Sequence, residues 1–192
     1  ESFEVLDLSK DYYTFNGWFD DDGYKVTRIE RGSVGNLTLT ARFTAIEYNI
    51  YYTNYKDFDL FGELNFPTTY SAEQKRYIPE LPLENYIFNG WFDYLGRCIG
   101  VVTTTLTGGQ DITLEARWTP ITYGIEYKNV LASQVQGYPT RYNVETPTFQ
   151  LPVLSKKYFD FGGWKDDEGN IYTEIQTGTS GFLRLEPIFI LT

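Results

Sequence analysis

Tyr86-Ile87-Phe88-Asn89-Gly90-Trp91 decides the fold, because the chain writes it three times. It stands earlier as Tyr13-Thr-Phe15-Asn-Gly17-Trp18 and later as Phe159-Asp-Phe161-Gly-Gly163-Trp164, and both intervals are 73 residues. A fixed period means tandem copies of one small module, each burying its apolar face against itself and its neighbours. Arrays of this kind more often space, display or bind than catalyse.

Modules near 73 residues are small, and a fold of that size buries only roughly 60% of its chain's surface. Large side chains compensate: 17 Tyr, 14 Phe and 4 Trp among 192 residues. Each buried ring removes about 150–250 Å² from water. Phe15, Trp18, Phe88, Trp91, Phe161 and Trp164 are therefore expected to be core. Alternation puts Tyr13 and Phe15 on one strand face and Trp18 on the other. The glycine before each tryptophan predicts a bulge that swings the indole inward.

Leu37-Thr-Leu39-Thr-Ala41-Arg-Phe43 closes the first module, with counterparts from Ile112 to Trp118 and from Leu183 to Phe189. Strict alternation is the mark of a half-buried antiparallel strand. Pro187 in the last copy has no N–H, so that strand is expected to be unpaired on the side of Pro187. Opening strands run Ile46-Glu-Tyr48-Asn-Ile50-Tyr-Tyr52 and Ile121-Thr-Tyr123-Gly-Ile125-Glu-Tyr127. After them, Asn54 and Asn129 are candidate caps of a short helix, with the variable stretches 56–65 and 130–136 following. Pro67-Thr68 and Pro139-Thr140, each near a tyrosine (Tyr70, Tyr142), precede a short strand. The modules are read as 1–44, 45–119 and 120–192. Thr44-Ala45 and Thr119-Pro120 are the only residues between closing and opening strands, which predicts an elongated rod.

The first copy carries Phe3-Glu-Val5-Leu6, matching Phe149-Gln-Leu151-Pro152, but has no counterpart of the opening strand. Two readings stay open: a piece of a longer array, or a strand supplied by another chain.

Taken in order, Pro-Thr-x-Tyr, Leu-Pro, Tyr-x-Phe-x-Gly-Trp, Gly-x-x-Gly and Ile-Thr-Leu-x-Ala-x-Trp resemble the Listeria–Bacteroides repeat, the B-repeat of listerial internalin. The clearest stretch runs from Pro67 to Trp118. The resemblance implies mostly β, or α+β, modules of β-grasp-like type, in tandem on secreted or wall-attached bacterial proteins. It implies a spacer or adhesive role and brings no catalytic residues with it. The last copy departs from the pattern with Gly162, Lys165 and Pro187.

Function classes narrow by chemistry. Net charge is −10, which opposes nucleic-acid phosphates and anionic membranes. No run of 18 apolar residues exists, so no membrane insertion is expected. Without histidine, the commonest general base and metal ligand is missing, and no enzyme is expected. No cofactor is expected. Cys98 matches Lys25 and Ile171 in the other copies and reads as packing filler. Asp20, Asp22, Asp166 and Asp167 are calcium candidates in acidic turns, though Asp and Gly are equally the residues of a hairpin turn. Tyr24, Tyr51, Tyr55 and Tyr94 fall outside the apolar phases and are candidates for stacking on glycans. The expected partners are other modules of an array, or a host or matrix glycan or protein.

Overall fold

The structure is a computed structural model and describes residues 2–55 and 64–191. It is mostly β. The chain forms two compact units, residues 1–81 with 89–117 and residues 82–88 with 118–192.

Each copy builds a main sheet around its Trp strand. In the third copy the order is Arg141–Tyr142, Tyr123–Tyr127, Leu183–Leu191, Phe159–Lys165, Ile171–Tyr172. The second copy follows the same order with Thr69–Tyr70, Tyr48–Thr53, Ile112–Pro120 and Tyr86–Phe92. The first has three strands, Lys25–Val26, Tyr13–Phe19 and Thr40–Ala45.

The closing strand runs antiparallel to the Trp strand, as its alternation suggests. Its other edge is different: it pairs in parallel with the opening strand, Ile50↔Ile112 to Thr53↔Glu115 and Ile125↔Leu183 to Tyr127↔Leu185. A parallel neighbour needs a long crossover, and the rest of the module provides it. In the third copy this parallel ladder ends at Leu185, before Pro187, one pair earlier than in the second copy.

A smaller ribbon completes each copy. Phe3 faces Ile29, Arg76 faces Val102 and Phe149 faces Ile175, all antiparallel. The ribbon is tied to the main sheet through the indoles. Trp18, Trp91 and Trp164 donate Nε1–H to the carbonyls of Leu6, Pro79 and Pro152, each at 2.8 Å. The register shifts between Phe15 and Gly17 and between Phe161 and Gly163. These are the bulges that turn the indoles inward, with Gly17, Gly90 and Gly163 at φ +123°, +120° and +103°. A Cβ on these glycines would lie 2.4–2.9 Å from the side chains of Lys25, Cys98 and Ile171, the three matched positions. Cys98 is thus exposed rather than internal, with its sulfur over the backbone of Gly90.

In the core, Phe161 meets Trp164 edge-on at 5.8 Å and Phe189 at 6.0 Å. Tyr127 of the opening strand closes on Trp164 at 5.0 Å, as Tyr52 does on Trp91. Trp91 and Trp164 are buried, while Trp18 is half-buried.

The helix expected at 56–65 lies largely outside the described residues. In the third copy the corresponding stretch holds one 3-10 turn, Ala132–Gln134. Asn54 and Asn129 take left-handed backbone, φ +58° and +57°. The helix expected after Asn54 falls outside the described residues, while the turn after Asn129 begins at Leu131 and is not capped by Asn129. The two asparagine side chains bond the Ala116 carbonyl at 2.8 Å and the Glu186 carboxylate at 2.5 Å. A short helix does form at Thr104–Thr107, capped by the Thr103 hydroxyl and ended by left-handed Gly108.

Copies meet at a recurring turn. Tyr12, Asn85 and Tyr158 stand 73 residues apart at φ +67°, +65° and +69°. In the first unit, Ile46 N–H donates to the Tyr12 carbonyl at 2.9 Å, and the Tyr12 ring covers Gly109 so closely that a Cβ there would lie 2.5 Å from Cδ1. In the second, Ile121 N–H donates to the Asn85 carbonyl at 2.9 Å. There the Tyr123 hydroxyl also donates to Asn85 Oδ1 at 2.8 Å, and the Tyr86 hydroxyl to Glu145 at 2.9 Å.

Trp91→Ala should cost about 3–5 kcal/mol, the usual range for emptying an aromatic core position. Trp18→Ala, at a half-enclosed site, should cost less, below about 3 kcal/mol. Urea denaturation of the two variants checks this. Equal losses would show that the first copy encloses its indole as fully as the second.

Candidate functional site

The acidic turns are built alike. Asp20, Asp93 and Asp166 each begin a hairpin turn in which Gly23, Gly96 and Gly169 donate N–H back to the aspartate carbonyl. Each carboxylate folds over the turn. Asp20 Oδ1 accepts the N–H of Asp22 and Tyr24 at 3.1 and 2.8 Å. Asp93 Oδ1 accepts those of Leu95 and Arg97 at 3.0 and 2.9 Å. Asp166 Oδ1 accepts those of Glu168 and Asn170 at 2.9 and 2.8 Å. The leading aspartates are therefore engaged as turn acceptors. Of the other candidates, Asp167 pairs with Lys128 at 3.2 Å and Arg184 at 3.5 Å. Asp22 contributes its N–H to the turn. Among the described residues no three His, Cys, Asp or Glu converge as a metal-binding set.

Environment sets the charge of these carboxylates. The Asn170 side chain first, and then the Tyr172 hydroxyl with two backbone N–H groups, hold Asp166 at about 2 against some desolvation. Burial pushes the Asp93 carboxyl up, but the Arg97 N–H and guanidinium outweigh it and the net shift is downward.

The candidate tyrosines are all exposed. Tyr24 ends the first acidic turn, and Tyr55 follows the opening strand of the second copy. Tyr51 and Tyr94 are drawn to one corner. A groove of about 450 Å³ is lined by Tyr94, Arg97, Leu106, Gln110, Asp111 and Thr113. The Tyr51 hydroxyl donates to Asp111 at 3.4 Å. An exposed phenol ring beside amide and carboxylate groups is chemistry that can meet a sugar. Asp111 also serves the fold itself, since it accepts the Asn49 N–H at 2.7 Å and the Asn49 side-chain amide at 3.1 Å. These bonds, with Tyr51, keep its carboxyl below the usual range. The third copy exchanges both partners for Gly124 and Phe182, whose ring fills the space over the glycine.

A second feature lies outside the candidate side chains, although the missing opening strand signalled it. The closing strand of the first copy is the edge of its sheet: among the described residues nothing pairs with its outer side. Leu37 is 51% exposed, where its counterparts Ile112 and Leu183 are 8% and 7%. Leu39 is half-buried, and its counterparts Leu114 and Leu185 are wholly buried. Beside this edge lies a groove of about 570 Å³, lined by Phe3, Val5, Ile29, Val34, Leu37 and Leu39.

No helix among the described residues is long and apolar enough to cross a membrane. Residues 3–42 match the family model of the Listeria-Bacteroides repeat domain. Over 181 residues the chain is 24% identical to a protein of Evansella cellulosilytica that bears the name Gly-rich membrane protein. That alignment takes in 86% of this chain and 19% of the relative, so the chain spans about a fifth of the relative's length. No solved structure matches.

Because the folded pKa of Asp166 lies below its ordinary value near 4, its turn is stabilised at neutral pH. That contribution is complete above about pH 4 and is lost as pH falls through about 2. An NMR titration of the Asp166 carboxyl carbon should give a midpoint near 2. A midpoint near 4 would show that the Asn170 and Tyr172 bonds do not hold in solution.

Proposed function

We propose that this chain is a non-catalytic stretch of a bacterial surface repeat protein, and that it works as a semi-rigid spacer. The observation that carries this reading is the joint. Tyr12 and Asn85 hold the start of the next opening strand through a backbone hydrogen bond at the same place in the repeat. Thr44-Ala45 and Thr119-Pro120 belong to the closing strands, so that Ile46-Glu47 and Ile121-Thr122 alone separate closing from opening strand. A joint so short and hydrogen-bonded at its first residue resists bending and twisting, unlike a flexible tether. Repetition of such a joint yields a rod of β-grasp-like modules, each with its own aromatic core.

Surface location is supported by the match of residues 3–42 to the Listeria-Bacteroides repeat domain and by the relative named as a membrane protein. A spacer role fits the chemistry as well. The aspartates that lead the acidic turns are occupied by backbone N–H groups, and the sequence has no histidine. A net charge of −10 keeps such an array soluble and extended away from an anionic envelope.

Small-angle X-ray scattering on the 192-residue chain tests the reading. A compact globule of this length has a radius of gyration of about 16 Å. The spacer predicts a clearly larger value, unchanged by salt, with the scattering profile of a rod. A value near that of the globule, or one that drifts as for a flexible tether, would overturn it.

A further inference from the structure

We infer that the groove of the second copy lined by Tyr94, Arg97, Gln110 and Asp111 is a binding subsite for a neutral hexopyranose. The sugar ring lies on the Tyr94 phenol and its hydroxyls meet Arg97 and Asp111. This adds a recognition role to the spacer reading and does not depend on it.

The second copy departs from the repeat at several places, and the departures meet in this groove. Its acidic turn reads Asp93-Tyr94-Leu95-Gly96, where the other two read Asp20-Asp-Asp-Gly23 and Asp166-Asp-Glu-Gly169. Tyr94 and Leu95 therefore stand where the other copies carry carboxylates, and they are 90% and 61% exposed. The hairpin does not require them, because the turns at Asp20 and Asp166 close with the same bonds. Two large side chains exposed together on the lip of a groove are a contact surface. The chain is also longer here. Trp91 lies 21 residues before Ile112, whereas Trp18 and Trp164 lie 19 before Leu37 and Leu183. The lengthened segment carries the helix Thr104–Thr107, whose Leu106 forms part of the groove wall. Asp111 stands where the other copies have Asn36 and Phe182, and Tyr51 where the third has Glu126. The third copy lacks the site, since Phe182 lies over Gly124 and acidic residues occupy its turn.

Charge and hydrogen bonding select the class of ligand. Arg97 sets Nε and Nη2 on Asp93 Oδ2, both at 2.7 Å, and the pair is neutral as a whole. The Asp93 carboxylate is shut away from water, but the Arg97 side chain is half-exposed. Among the described residues nothing takes its Nη1 group, which remains a donor on the groove. Asp111 gives Oδ1 to the Asn49 N–H, and Oδ2 to the Asn49 amide and, at a long 3.4 Å, to Tyr51. A carboxylate has about four acceptor sites, so Asp111 keeps capacity for a hydroxyl. Adjacent sugar hydroxyls both donate and accept, and one pair serves a carboxylate and a guanidinium together. The C–H face of the same ring suits a phenol. An anionic ligand is disfavoured: the groove's cation is already neutralised, Asp111 stays ionised, and the net charge is −10. The groove's volume of about 450 Å³ falls within the range of about 300–1,000 Å³ typical of small-molecule sites.

The test titrates the whole chain, labelled with nitrogen-15, with methyl α-D-glucopyranoside, methyl α-D-mannopyranoside and methyl β-D-galactopyranoside. Glucuronic acid is the charged counterpart. At least one neutral sugar should shift the amides of Tyr94, Leu95, Arg97, Gln110 and Asp111 saturably, with a Kd on the order of millimolar for so few contacts. Glucuronic acid should bind at least about fivefold more weakly. Tyr94→Asp with Leu95→Asp gives the turn the tip of the first copy, which this chain already folds, and should weaken binding at least about tenfold. Tyr94→Phe keeps the ring and should stay within about twofold. Neutral oligosaccharides of animal glycoproteins and neutral bacterial wall polysaccharide, run separately, tell which source supplies the sugar; binding of either at these amides supports the site. Four outcomes would overturn the proposal: no saturable shift from any neutral sugar in the tens of millimolar; equal binding of glucuronic acid; shifts that survive the double exchange; or shifts confined to another copy.

Discussion

One hydrogen bond recurs wherever a copy folds: an indole N–H donated to a carbonyl twelve residues upstream, at 2.8 Å in all three copies. A buried indole needs an acceptor, since an unpaired N–H in the core costs about 1–3 kcal/mol, more than a typical bond contributes net. The acceptor lies just after the short strand of the side ribbon, so meeting this need fastens the ribbon to the main sheet. The bulge at Gly17, Gly90 or Gly163 follows from it, because an unbulged strand would turn the indole away from Phe15 or Phe161. The glycine follows in turn from the bulge, since φ near +103° to +123° is a backbone that L side chains rarely adopt, and at Gly90 and Gly163 a Cβ would also press on Cys98 and Ile171 at 2.7 and 2.9 Å. Aromatic packing around Phe43, Trp118 and Phe189 then has a fixed centre to gather on.

Much of this was legible in the residues. Three copies at a fixed interval, the inward indole, the glycine bulge, the closing strand and the open first copy are all written as local patterns. Parallel pairing was not. A strand with one buried face alternates identically whether its neighbour runs parallel or antiparallel, so Leu37 to Phe43 carry no sign of direction. Asn129 misled because asparagine favours helix caps and left-handed backbone alike, and the tertiary partner decides between them. The joint was legible only in part. Its brevity could be counted, but Tyr12 and Tyr158 take positive φ without being glycine or asparagine, and only Asn85 advertises the conformation.

The candidate site shows the same division. Asp20, Asp93 and Asp166 recur with the period, but oxygen-bearing side chains in a sequence cannot show that the backbone of their own turns already occupies them. Tyr51 bonds Asp111, and Tyr94 lines the same groove as Asp111, only because a strand and a turn far apart in sequence come together there. By contrast, the unpaired edge at residues 36–40 follows from counting strands per copy. The structure adds what counting could not: the exposure of Leu37, the half-covered Trp18 and the groove beside them.

Hydrogen exchange at the indole nitrogens reads the central interaction directly. By NMR, the Nε1–H of Trp91 and Trp164 should exchange slowest, governed by opening of their modules. Trp18 should be protected too, but less, because its bond to Leu6 is made at a half-exposed ring. Exchange of all three at the rate of a free indole would contradict the account, as it would mean the rings stand in water and the ribbons are not held by them.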